Sequence, residues 1–70
     1  MSSKDIVKYL LYKRGMTFVK LAEELTNHMG RKYTRTGISS KLRLGSLRFD
    51  EMEAIAKILD YEIKFEDLRK

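Results

Sequence analysis

The chain has 70 residues, no cysteine, no proline and a single histidine, with a formal net charge of +5 and a pI near 9.6. One domain fits that length, with a core worth only about 3 to 5 kcal/mol, and without cysteine neither disulfides nor a thiolate metal site can form, nor does His28 alone make a zinc site. No apolar run approaches the roughly 20 residues that span a bilayer, and Met1-Ser2-Ser3-Lys4-Asp5 lacks the apolar segment of a signal peptide; the expected protein is soluble, in the cytoplasm.

Ser2 and Asp5 have capping-box spacing and open a helix over about 3–14, whose apolar stripe is Ile6, Val7, Leu10 and Leu11. Lys13 and Arg14 suit its C-terminal dipole, and Gly15 ends it. Tyr9 and Tyr12 fall off the stripe and are expected to be partly exposed. Thr17 caps a second helix over about 17–29, in which Phe18, Leu21, Ala22, Leu25 and Met29 share one face and Gly30 stops the run. Met16, Met29 and Met52 read as core filler, His28 as a helix-end residue, and Tyr33 as packing beneath the turn.

Thr34 caps a third, short helix over about 34–43 that buries only the i,i+4 pair Ile38 and Leu42. Gly45 then breaks the pattern as a positive-φ residue. A fourth helix over about 49–59 carries the acids Asp50, Glu51 and Glu53 near its start, all taken as solvent-facing, and a stripe of Met52, Ile55, Ala56 and Leu59. The alternating segment Tyr61-Glu62-Ile63-Lys64-Phe65-Glu66 predicts a strand over about 61–66. The i,i+4,i+7 spacing of Tyr61, Phe65 and Leu68 is the competing helical reading. A lone strand has no partner among four helices, so the expected solution is pairing with a second copy across a twofold axis through Tyr61, Ile63 and Phe65. The expected fold is mainly α: a four-helix domain over 1–70 with a C-terminal strand.

Charge is distributed unevenly. Residues 1–48 hold eleven Lys/Arg against Asp5, Glu23 and Glu24, a balance of +8, whereas residues 49–70 hold four against seven acids, a balance of −3. The stretch Leu25–Phe49 contains six cations and no acid. A solvated helix usually mixes both signs, so this stretch points to a polyanion.

Thr17 with Leu21-Ala22-Glu23-Glu24-Leu25, then Gly30, then Ile38-Ser39-Ser40-Lys41-Leu42, then Phe49-Asp50-Glu51-Met52-Glu53-Ala54-Ile55-Ala56-Lys57-Ile58-Leu59, resembles the lambda-repressor and Cro-like helix-turn-helix family. The likeness is closest to small phage- or prophage-type transcriptional regulators and covers residues 6–66. Its departure is the turn. Ala22 and Ile38 lie 16 positions apart, against about ten in the family, so that roughly six residues are inserted, with consequences for the docking angle of the third helix.

The resemblance implies a DNA-binding transcriptional regulator, most simply a homodimeric repressor, whose third helix enters the major groove. Arg35 would then fork onto guanine, Thr36, Ser39 and Ser40 would meet bases or phosphates, and Gly37 would let backbone and groove approach closely. Thr34 would open that helix. Arg31, Lys32, Lys41, Arg43 and Arg48 would be phosphate contacts, and for Arg35 a phosphate is as good a partner as a base.

The second hypothesis is a protein-interaction module, antitoxin- or inhibitor-like, with the helix-turn-helix as scaffold. An enzyme is not expected, because one histidine, no cysteine and no convergent carboxylate pair leave little for acid–base or nucleophilic chemistry. No cofactor or small-molecule substrate is expected either.

Overall fold

A computed structural model describes residues 2–69. Four α-helices follow in order: α1 (Ser3–Arg14), α2 (Phe18–Met29), α3 (Arg35–Leu44) and α4 (Phe49–Ile58). Each boundary has a chemical cause. The Ser2 hydroxyl accepts from the Asp5 amide at 3.2 Å while Asp5 reaches back to the Ser2 amide at 3.4 Å, completing the capping box of α1. Thr17 and Thr34 accept from the amides of Lys20 and Gly37, three residues into α2 and α3. Gly30 and Gly45 end those two helices in the left-handed conformation, at φ 75° and 70°, where a Cβ would be strained.

The core lies where these helices meet. α2 packs against both α3 and α4, and α1 packs against α3. Val7 and Leu11 of α1, Leu21, Ala22 and Leu25 of α2, Ile38 and Leu42 of α3, Ala54 and Ile55 of α4, and Leu59 just after it form one apolar cluster. Burying each of the larger side chains stabilises the fold by about 1.5 to 3 kcal/mol. Ile6, predicted on the α1 stripe, is 45% exposed: α1 buries a narrower strip than its sequence pattern suggests. Tyr9 and Tyr12 are exposed, as expected from their positions.

Arg14 does more than complement its own helix. Its Nε donates to the Leu59 carbonyl at 2.7 Å and its guanidinium lies 4.1 Å from the centre of the Tyr61 ring. It thereby satisfies a carbonyl at the end of α4 and pins the start of the tail.

The tail corrects the prediction of a strand. Among the described residues there is no β-strand, and residues 61–69 adopt neither helix nor strand. A strand needs a ladder partner, and four helices within one chain provide none. Instead Tyr61 packs on the core, and Phe65 stacks on Phe49 with ring centroids 6.3 Å apart, so the tail returns to the N-terminal end of α4. Phe65 and Leu68 remain almost fully exposed. No described helix is long and apolar enough to cross a membrane.

Candidate nucleic-acid interface

α3 is positioned from below by Ile38 and Leu42, one helical turn apart and both buried. That spacing leaves Arg35, Thr36, Arg43 and Leu44 of the helix exposed and Gly37, Ser39, Ser40 and Lys41 half-buried. Arg35, Thr36, Ser39, Ser40 and Arg43 surround one shallow cleft on its surface. A second cleft, between the 31–34 loop and α3, is lined by Arg31, Lys32, Tyr33, Thr34, Gly37 and Lys41. Ten of the eleven residues expected to contact DNA therefore border two clefts on α3. Arg48 does not line either one; its guanidinium pairs at 2.9 Å with Asp50 in the first turn of α4.

Lys32, Arg35 and Arg43 make no ion pair with any described residue. Gly37 is closely approached: a Cβ built there would lie 3.0 Å from the Thr34 hydroxyl oxygen, the same atom that caps α3. The residues between Ala22 and Ile38 divide among the rest of α2, as far as Met29, the connection Gly30–Thr34, and the first turn of α3. That connection is held to α2 by Thr26, whose hydroxyl donates to the Ala22 carbonyl at 2.8 Å and accepts from the Tyr33 amide at 2.9 Å.

Tyr33 packs beneath the turn, as its apolar body requires, and its hydroxyl donates to Glu51 at 2.6 Å. Glu51 corrects a sequence expectation. Taken as one of the solvent-facing acids of α4, it has no exposed surface. Its Oε2 also accepts from Lys41 Nζ at 3.0 Å and from Arg31 Nη2 at 3.4 Å, and its Oε1 accepts from the Arg48 amide at 2.9 Å. Burial pushes the carboxyl pKa up, but the hydrogen bonds from Tyr33, the Arg48 amide and Lys41 outweigh it and bring the value down to about 2 from 4.5. Tyr33 moves the other way, raised by burial and by donating to Glu51.

Glu51, Thr26 and Arg14 are the residues that reading the sequence missed. For Glu51 a signal existed: it precedes Ile55 and Leu59 by four and eight positions, on the buried side of α4. For Arg14 the partner is a backbone carbonyl 45 residues away, and for Thr26 it is the amide of Tyr33 beyond the end of its own helix, which no local pattern marks.

No protein-family model, curated protein or solved structure matches the chain.

Proposed function

We propose that the chain is a sequence-specific double-stranded DNA-binding regulator, acting as a repressor by covering a promoter, with α3 in the major groove and two copies on a twofold-symmetric site. The observation that carries this reading is the outward surface of α3. Two arginines and three small hydroxyl side chains border one cleft, in a 25-residue stretch free of acids. Arginine forks onto guanine O6 and N7, and hydroxyls serve either bases or phosphates. A solvated helix without such a role ordinarily carries carboxylates as well.

The test is a titration of duplex DNA across ionic strength. Binding through several phosphates makes log affinity fall linearly with log salt, by about 0.9 per phosphate. A chain that binds no duplex at any salt concentration is not a DNA regulator. Selection from random duplexes would give the preferred sequence and the half-site spacing together.

A specific observation supports the second reading, a protein-interaction module. Phe49 and Phe65 stack at the surface, and Leu44 and Leu68 are exposed by 66% and 85%, a composition suited to protein contact. In the first reading the same region pairs two copies, with Ile63 and Phe65 offered by the tail and Tyr61 anchoring it. Sedimentation tests that pairing. Truncation after Asp60 abolishes self-association if the tail joins two copies, whereas a full-length chain that stays monomeric at high concentration rules out that role and leaves the tail packed on its own helices.

A further inference from the structure

Glu51 ties together the three elements that shape the proposed interface. It takes Tyr33 and Arg31 from the loop, Lys41 from α3 and the Arg48 amide at the start of α4, and it is the only buried charged residue among those described. Lys41 and Arg31 are half-exposed, with side-chain exposures of 40% and 47%, yet both direct their charge at the same oxygen.

Resting on the DNA reading above, we infer that Glu51 is a positioning residue that withholds Lys41 and Arg31 from DNA phosphates, leaving Lys32, Arg35 and Arg43 as the free cations of the α3 face. A phosphate that meets Lys41 must compete with a carboxylate 3.0 Å away that has no surface through which water could replace the lost partner. The pair therefore stays closed. Affinity that depends only on charge is held down, and contacts to base edges carry a larger share of binding. This raises the ratio of specific to non-specific affinity, the quantity that matters among many competing sites.

The experiment measures the salt slope of the full chain and its variants on a short random-sequence duplex. Lys32→Gln and Arg43→Gln should each reduce the slope by about 0.9. Lys41→Gln and Arg31→Gln, which keep a donor for Glu51, should leave it unchanged. Glu51→Gln should steepen it by up to about 0.9 for each cation released. A purely structural Glu51 would instead lower stability and affinity on every duplex at an unchanged slope.

Loss of about 0.9 in Lys41→Gln or Arg31→Gln overturns the inference, as does a folded Glu51→Gln with the parent slope. Should Glu51→Gln not fold, the Lys41 and Arg31 variants decide by themselves. A full chain that binds no duplex overturns both the inference and the reading beneath it. Binding by the full chain with the wrong pattern among variants overturns the inference alone.

Discussion

α2 and α3 are built with the same devices and put to different uses. Each is opened by a threonine whose hydroxyl accepts from the amide three residues on, at 3.1 Å and 3.0 Å, and each is closed by a left-handed glycine. Both pack against two other helices, yet α2 buries Leu21, Ala22 and Leu25 while α3 buries only Ile38 and Leu42. Caps define where a helix begins and ends. What the helix does follows from which side chains it turns outward, and α3 turns out Arg35, Thr36 and Arg43 where α2 turns out Val19, Lys20 and Glu23.

The largest effect should come from breaking the α2 side. Leu25→Ala removes a fully buried side chain and should cost about 2 to 5 kcal/mol in urea denaturation, comparable with the whole stability expected of so small a core. Arg43→Ala, on the open face of α3, should alter stability by no more than about 0.5 kcal/mol. Equal losses would mean that α3 is as deeply embedded as α2.

Acid should expose the support beneath α3. The folded pKa of Glu51, about 2, lies below its ordinary value of 4.5. Its contribution is therefore fully present above pH 4.5 and is lost as pH falls toward 2. Glu51→Gln should be less stable than the parent at neutral pH and should show a flatter decline through that window in thermal melts. A decline identical to the parent's would assign the acid sensitivity to other carboxylates.

On DNA the contrast should reverse. Arg35→Ala should weaken binding to the preferred sequence by about 1 to 3 kcal/mol and relax the choice at one base pair, if Arg35 reads a base. An equal loss on every sequence makes Arg35 a phosphate contact.

The caps give a finer comparison. Thr17→Ala and Thr34→Ala should each lower stability by about 0.5 to 2 kcal/mol, and only Thr34→Ala should also lower DNA affinity among molecules that remain folded. The smallest effect should be that of Gly37→Ala. Its gain in helix propensity, up to about 1 kcal/mol, works against a Cβ placed 3.0 Å from the capping Thr34 oxygen, so chemical denaturation should show almost no net change.

Much of the architecture was legible from the residues. The helix boundaries follow from Ser2, Thr17, Thr34 and the glycines that end α1, α2 and α3, and the apolar stripes named most of the core. The tail was not legible. Alternation of Tyr61, Ile63 and Phe65 describes a segment able to pair, but pairing needs a second strand, and in this chain Arg14 and Phe49 hold the segment against α4 instead. Local composition records a side chain's preferences and leaves out which partner reaches it.

By itself, the sequence determined four capped helices, one small apolar core and a basic, acid-free stretch between Leu25 and Phe49, because capping, periodicity and charge are local properties. Tertiary structure alone decided which cations stand free. Glu51, drawn into the interior with Ile55 and Leu59, engages Tyr33, Arg31 and Lys41 from elements 10 to 20 residues away. A buried carboxylate must find its donors wherever the fold supplies them, and that requirement separates Lys41 and Arg31 from Lys32, Arg35 and Arg43.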